Sequence, residues 1–239
     1  MEDITILIPS WNRRKFLPLV IRNLETQDYP HEHIQVIIDD DGSDKLIQSQ
    51  EELEVIQKHL HPIKVKYINN KPKRTIGAKR NDLVKSATTK IVCYMDDDDV
   101  YMPTYLSYTY SMLKKHKVGC VGSNKMIFTM SSKNFDIHAI DCGDNKSLIH
   151  EATMMFSKKW FSASQKFANS SQGEGACIFQ GHHKTVAITD VVQQMICLEH
   201  DSNTVNKLQF ATEQTKIDIS LDDKLINIIK NILENKMLS

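Results

Sequence analysis

Short apolar runs alternate with longer helix-like segments over the first 120 residues of the chain. The runs at 4–9, 36–38 and 91–95 are too short for helices and are rich in isoleucine, valine and aromatic residues. In the segments 16–24 and 76–87, apolar residues recur at helical spacing. Strands that are apolar on both faces and joined by helices form parallel sheets covered on both sides. The pattern therefore predicts an α/β fold with a mostly parallel sheet.

The remaining apolar patterns complete the predicted element order, which becomes less regular after about residue 120. Pro103 is placed in the first turn of a helix, where its missing N–H has no cost. The patterns predict further strands at 63–68, 118–123, 125–130 and 191–198, further helices at 46–59, 103–116, 157–167 and 221–238, and a loop at 168–175.

Composition excludes several classes of protein. The chain has 30 basic and 30 acidic residues, so nucleic acid is not an expected partner. It contains no run of about 18 apolar residues and no signal-peptide pattern at its N-terminus, so we expect a protein without a transmembrane segment. Its five cysteines form no C-x-x-C pair, which favours free thiols and a cytoplasmic location, or the host cytoplasm for a viral chain.

Three polar clusters follow predicted strands at the point where each strand ends. They read SWNRR after the first strand, DDDGSD after the second and DDDD after the strand at 91–95. In open α/β sheets, ligands bind at the carboxyl ends of the strands. The three clusters are therefore expected to lie together and to form the functional site.

The run Asp96–Asp99 carries the strongest chemical signal. Two carboxylates about 4 Å apart repel by roughly 4 kcal/mol near a protein surface, so four in a row need a compensating charge. A hard divalent cation such as Mg²⁺ provides it and binds carboxylates together with substrate phosphates. The alternative is a solvated turn with Asp99 at the start of the next helix.

Four segments resemble the motifs of family 2 glycosyltransferases, in the family's order and spacing. They are ITILIPSWNRRKFL, VIIDDDGSD, GAKRNDLVKSATTK and YMDDDDVYMP, which matches the DXD segment, and they cover about residues 4–116. The resemblance implies a GT-A fold, a Rossmann-like sheet with helices on both faces. It also implies a nucleotide-sugar-binding half at 1–120, and an acceptor-binding half with a C-terminal helix at 121–239.

The resemblance also assigns roles in donor binding. Pro9 and Trp11 would line the base pocket, with Trp11 stacked on uracil, and Asp40 would hydrogen-bond the base. Arg80 would approach the diphosphate or order the donor loop. Without the family resemblance, a core aromatic residue is an equally good interpretation of Trp11. For Arg80, a solvated helix residue is then the better interpretation.

The resemblance gives the aspartates of the DXD segment two expected roles, contact with the ribose and binding of a metal ion. Asp96 or Asp97 would contact the ribose, and Asp98 would bind a Mn²⁺ or Mg²⁺ ion that bridges both phosphates of the donor. His200 resembles a late histidine that completes the metal shell in some GT-A enzymes. The alternative for His200 is a structural residue at the end of a strand.

An inverting sugar transfer needs a carboxylate that takes the proton of the acceptor hydroxyl. The segment SQGEGACIF resembles the family's base-carrying loop, which makes Glu174 the candidate, with Asp190 and Asp201 in reserve. The family often has two consecutive acids at this point, whereas this chain has Glu174 followed by Gly175. The alternative for Glu174 is an acid in the first turn of a helix, favoured by the helix dipole.

The resulting expectation is a hexosyltransferase that moves one sugar from a UDP-sugar, or another nucleotide sugar, to a hydroxyl of a glycan, a protein or a small molecule. Two alternatives are a donor-binding module that has lost its base and a nucleotidyltransferase. The nucleotidyltransferase would need a glycine-rich loop after the first strand, and PSWNRRK has no glycine.

Overall fold

The computed structural model describes residues 1–70, 72–141, 143, 145–200, 203 and 212–234. The helices are α1 (Leu17–Glu25), α2 (Gln50–Leu60), α3 (Ile76–Ser86), α4 (Tyr105–His116), α5 (Lys158–Ala163) and α6 (Asp223–Leu233). The strands are β1 (Ile4–Ser10), β2 (Ile34–Asp40), β3 (Lys64–Asn69), β4 (Ile91–Tyr94), β5 (Val100–Tyr101), β6 (Cys120–Gly122), β7 (Lys125–Met130), β8 (Ile137–Asp141), β9 (Met155–Ser157), β10 (Val186–Ile188), β11 (Met195–Glu199) and β12 (Lys216–Ile217).

The central sheet has seven strands in the order β10-β6-β9-β4-β1-β2-β3. Its neighbours β3, β2, β1 and β4 are parallel, as the alternating pattern predicts. Only β9 runs against its neighbours β4 and β6. A second sheet of five strands has the order β12-β8-β7-β11-β5. The central sheet thus takes strands from both sides of residue 120, and the division into two functional halves stays a prediction.

Apolar side chains cover both faces of the central sheet. Ile4, Ile6 and Ile8 of β1 belong to the larger core cluster, which includes residues of α1 and α4. Leu7 points to the other face, where it belongs to a second cluster with Leu83 of α3. This two-sided burial explains why β1 reads as a nearly continuous apolar run.

The helices α2 and α5 are shorter than their apolar patterns suggest. Helix α2 begins at Gln50 because Ser49 caps it, with its side chain accepting the amide of Glu52. Helix α5 ends at Ala163, before the predicted limit of 167. Residues 164–167 leave the helical path because Asn81 binds both the amide and the carbonyl of Phe167, at 3.1 and 2.9 Å.

Two further elements differ from their predicted bounds. The predicted strand at 191–198 begins with a 3-10 turn that Asp190 caps, and only Met195–Glu199 is extended. The terminal helix runs over Asp223–Leu233, and the last part of its prediction lies outside the described residues. None of the helices in the described part of the chain combines the length and hydropathy that crossing a bilayer requires.

Candidate active site

A cleft of about 520 Å³ lies at the carboxyl ends of β1 and β4. This volume is within the usual range for small-molecule sites. Five of the residues predicted for the site line it: Pro9, Trp11, Asp96, Asp97 and Asp98. The structure therefore brings the first and third polar clusters together, as the position of ligands in open α/β sheets predicts.

The two outer acids of the aspartate run are held by the protein. Asp99 Oδ1 accepts the backbone N–H of Leu198 on β11 at 2.9 Å, and the Asp99 carbonyl accepts the side-chain amide of Asn23 at 2.8 Å. Asp96 accepts two hydrogen bonds from Arg80 Nη2, at 3.1 and 3.2 Å. These contacts fix the backbone on both sides of Asp97 and Asp98.

Asp97 and Asp98 share one cation, Arg13, which sequence analysis did not single out. Arg13 Nη2 lies 2.9 Å from Asp98 Oδ2, and Arg13 Nε lies 3.7 Å from Asp97 Oδ1. Asp97 Oδ2 is buried and has no hydrogen-bond partner among the described residues. Burial, followed by the charge of Asp98, raises the pKa of Asp97 well above its usual range, although Arg13 opposes the shift. Burial and the neighbouring carboxylate of Asp98 thus both disfavour the charged form of Asp97.

His200 follows β11 and contacts Asp98. Its Nε2 lies 3.1 Å from Asp98 Oδ2 and 3.0 Å from the side-chain nitrogen of Asn203. The ring packs on Phe16, with 4.8 Å between the ring centroids. Within the described ranges, no three His, Cys, Asp or Glu side chains form a complete metal shell. A metal ion here would need ligands from a bound phosphate, which is how Mg²⁺ is usually held.

Basic side chains also line the cleft, namely Lys73, Arg74 and Lys79. Lys79 Nζ donates to Asp41 Oδ1 at 2.7 Å and to the carbonyl of Ser10 at 2.6 Å. The basic segment NKPKRTIGAKR is the sequence signal for these residues, although the family resemblance gives a role only to its last arginine. The cleft thus offers cationic groups as well as carboxylates.

Trp11 is 40% exposed at the edge of the cleft, so the core alternative for this residue is wrong. The Lys73 ammonium lies 3.3 Å from the centroid of its indole ring, in cation–π contact. Base stacking on Trp11 stays a prediction.

Arg80 lies buried beneath the cleft, so its alternative as a solvated helix residue is also wrong. Its Nε lies 3.3 Å from Glu174 Oε1, and its guanidinium carbon is 4.7 Å from the centroid of the Tyr94 ring. Burial acts to lower the pKa of Arg80, but the carboxylates of Asp96 and Glu174 outweigh it and raise the pKa. In this arrangement Arg80 contacts Asp96 and Glu174 and does not line the cleft.

Glu174 also lies behind the cleft, in a series of turns and not at the start of a helix. It is 6% exposed. Burial raises the pKa of Glu174, and the charge of Arg80 opposes the shift. Of the reserve candidates, Asp190 is exposed and caps a 3-10 turn, and Asp201 lies outside the described residues.

Asp40, predicted to bind the nucleobase, is fully buried and does not line the cleft. Its Oδ1 accepts the N–H of Gly42 at 2.9 Å. Its Oδ2 accepts the N–H of Leu46 and the hydroxyl of Tyr67, both at 2.8 Å. In this structure Asp40 closes the loop after β2, because its carboxylate is bound by two buried amides and by the half-buried Tyr67.

Replacing Asp40 with alanine is expected to lower the free energy of unfolding by about 3–5 kcal/mol, since two buried amides and the half-buried Tyr67 hydroxyl would lose their acceptor. Urea unfolding measures the change. The matched control is Asp44→Ala in the same loop, where the residue is exposed and a change within about 0.5 kcal/mol is expected. Equal stability of the two variants would contradict this role of Asp40.

The fold has counterparts among solved structures. Staphylococcus aureus TarS 1–349 in complex with UDP-GlcNAc superposes with a TM-score of 0.58 at 13% identity, covering 87% of this chain and 63% of that one. The mannosyltransferase PcManGT from Pyrobaculum calidifontis, in complex with GDP-Man and Mn²⁺, gives a TM-score of 0.54 at 16% identity and covers 83% and 59%. At these identities the likeness shows the fold alone, and the chain has the GT-A fold.

Sequence comparison gives the family. The relative "UDP-Glc:alpha-D-GlcNAc-diphosphoundecaprenol beta-1,3-glucosyltransferase WfgD" of Escherichia coli is 23% identical over 134 residues, 55% of this chain and 50% of the relative. The chain thus spans about half the length of this curated relative. The family model described as "Glycosyl transferase family 2" matches residues 5–180. This match covers more than two thirds of the residues of the chain. The chain therefore belongs to glycosyl transferase family 2.

Proposed function

We propose that this protein is a metal-dependent, inverting glycosyltransferase that moves one sugar from a UDP-sugar to an acceptor hydroxyl. The observation that carries the proposal is the lining of the cleft, where Asp97 and Asp98 occur together with Arg74 and Lys79. A nucleotide diphosphate held by a divalent ion needs both kinds of group, since carboxylates bind the ion and cationic side chains bind phosphate oxygens.

The uridine assignment depends on Trp11 and on the relatives. Trp11 is an exposed aromatic ring at the cleft edge, beside Pro9, and a ring in this position offers a face for a nucleobase. WfgD is named for UDP-Glc, and the TarS complex contains UDP-GlcNAc. These relatives favour a UDP-sugar as donor, and the name of WfgD favours a glycan hydroxyl as acceptor.

The residues present fit a divalent metal ion. Asp98 and His200 would hold it, as their side chains approach to 3.1 Å, and the buried Oδ2 of Asp97 has no hydrogen-bond partner among the described residues and would be available to the ion. When bound, Mn²⁺ or Mg²⁺ stabilises the charge that develops on the departing diphosphate. Because Arg13 contacts both acids, it would have to yield part of this contact or share the acids with the ion.

The residues of the chain itself would supply the remaining requirements of the transfer. Asp96 or Asp97, which both line the cleft, would accept a ribose hydroxyl. Arg74 and Lys79 supply positive charge for the phosphate oxygens of the donor. A carboxylate near the acceptor must take one proton, and inversion follows if the acceptor attacks from the side opposite the diphosphate.

A second candidate function is a donor-binding module without transfer activity. Two observations favour it: the chain has Gly175 where the family often has a second acid, and Glu174 is paired with Arg80. Such a module would bind a nucleotide sugar and leave it intact. Turnover of the donor separates the two candidates.

Calorimetric titration of UDP into the protein, first with Mn²⁺ and then with EDTA, tests donor binding. We expect binding with Mn²⁺ and an affinity at least about tenfold weaker in EDTA, a difference of about 1.4 kcal/mol. Binding of equal strength in both conditions would contradict metal dependence. If the protein bound GDP but not UDP, the uridine assignment would be wrong. The proposal that the cleft binds a nucleotide would still stand.

A further inference from the structure

A glutamate carboxylate occupies the space in which a side chain at position 175 would lie. A Cβ built on Gly175 would be 2.0 Å from Glu151 Oε1 and 2.7 Å from Glu151 Cδ. Real side chains do not approach this closely, so residue 175 has no room for a Cβ while Glu151 keeps its position. The backbone of Gly175 is not in the left-handed region, so glycine is not required there for its conformation.

We propose that Glu151 is the general base of this enzyme and supplies from another part of the chain the carboxylate that position 175 lacks. This inference rests on the proposed function and deepens it. It assigns the base to a residue outside the loop of Glu174.

The turn that carries Glu151 is anchored next to the cleft, although Glu151 itself does not line it. It begins the 3-10 turn Glu151–Thr153 and directly follows His150, which lines the cleft. The next two residues are buried and anchored, since the Ala152 carbonyl accepts the Tyr101 hydroxyl at 3.1 Å and Thr153 Oγ1 accepts the N–H of Ser123 at 2.8 Å. A base held on such a turn does not need to be ordered when the acceptor binds.

Glu174 and Glu151 differ in what already occupies their carboxylates. Glu174 is buried and its Oε1 contacts Arg80 Nε at 3.3 Å, so its carboxylate is already engaged in an ion pair. Glu151 keeps more exposed surface than Glu174, and its carboxylate lies against the backbone of Gly175. Desolvation raises the pKa of Glu151, with Arg80 opposing the shift, and a raised pKa makes a carboxylate a stronger base.

The proposed step balances as follows. The acceptor oxygen forms a bond to the anomeric carbon while the bond from that carbon to the diphosphate oxygen breaks. The electron pair of the broken bond leaves with the nucleoside diphosphate, and the proton of the acceptor hydroxyl passes to the Glu151 carboxylate. With water as acceptor the same step hydrolyses the donor, so it can be measured before the natural acceptor is identified.

The test compares four variants: Glu151→Gln, Glu151→Ala, Glu174→Gln and the double variant Glu151→Ala/Gly175→Asp. The rate of nucleotide release is measured with UDP-glucose, UDP-GlcNAc and GDP-mannose in water, and UDP affinity is measured by calorimetry with Mn²⁺. Thermal unfolding confirms that each variant folds. The double variant removes the Glu151 side chain that would clash with a residue at 175 and returns an acid to that position.

We expect Glu151→Gln to lower the release rate by at least about a hundredfold while UDP affinity stays within about threefold of wild type. The double variant is expected to release nucleotide at least about tenfold faster than Glu151→Ala, because its new carboxylate occupies the same space. The rising limb of its pH–rate profile should also move, because an aspartate replaces a glutamate.

Other outcomes would overturn the assignment. A Glu151→Gln rate within about threefold of wild type would do so, as would a parallel loss of rate and UDP affinity, which indicates a structural role. Failure of the double variant to exceed Glu151→Ala would contradict the shared position of the two carboxylates. A wild-type protein that binds UDP but turns over none of the three donors would instead contradict the proposed function, and the assignment of Glu151 would fall with it.

Discussion

Asp98→Asn is expected to abolish metal-dependent binding of UDP and to lower donor turnover by about two to three orders of magnitude. The carboxylate of Asp98 lies 2.9 Å from Arg13 Nη2 and 3.1 Å from His200 Nε2. The substitution keeps the size of the side chain and removes one negative charge, so the loss would reflect the charge. Calorimetry in Mn²⁺ and in EDTA measures binding, and nucleotide release measures turnover.

The control for this variant is Asp141→Asn. Asp141 is an exposed acid on β8 that pairs with Lys125 at 2.9 Å and does not line the cleft. We expect this control to match the wild-type protein in UDP affinity and in turnover. If Asp98→Asn also kept the wild-type difference between Mn²⁺ and EDTA, Asp98 would not be a metal ligand.

Arg80→Met is expected to lower the free energy of unfolding by about 3–5 kcal/mol, the cost of breaking a buried ion pair by removing one partner. Arg80 compensates Asp96 and Glu174. Methionine would leave both carboxylates without their cation. The melting temperature should fall by roughly 10 °C for a chain of this size. Lys85→Met, on the exposed face of the same helix, is the matched control and should change stability by less than about 0.5 kcal/mol.

The effect of Arg80→Met should depend on pH in a defined direction. Arg80 opposes the upward pKa shift of Glu174, so its removal raises the pKa of that carboxyl further in the folded protein. The folded variant then binds a proton that the unfolded chain has released, and its stability falls as pH rises through this range. The stability difference from wild type should therefore be smaller at pH 5 than at pH 8. A deficit independent of pH would indicate lost packing instead of uncompensated charge.

The sequence predicts the local features of this protein well. The alternation of strands and helices predicts the parallel part of the central sheet, because these strands and helices are adjacent in sequence and buried on both sides. The aspartate run predicts the acidic end of the cleft, since four consecutive carboxylates repel one another and need a nearby positive charge. Trp11, which follows β1 directly, lies at the edge of the same cleft, and its role in binding a base stays a prediction.

Features that depend on contacts between distant segments could not be predicted. Asp40 is one of three consecutive aspartates, and only the folded loop shows that Tyr67 and Leu46 hold its carboxylate. Arg13 precedes the aspartate run by a long stretch of chain, so no local sequence pattern predicts its ion pairs with Asp97 and Asp98. The same holds for Glu151 and Gly175, whose close approach is a property of the fold and not of any local motif.

Release of nucleotide from sugar nucleotides by the wild-type protein in Mn²⁺ tests the central claim most directly. We predict time-dependent release of UDP from at least one UDP-sugar, an increase when a glycan acceptor is added, and loss of release in EDTA and in Asp98→Asn. Stable, stoichiometric binding of UDP-sugars without release of nucleotide under any of these conditions would contradict a glycosyltransferase and would favour the donor-binding module.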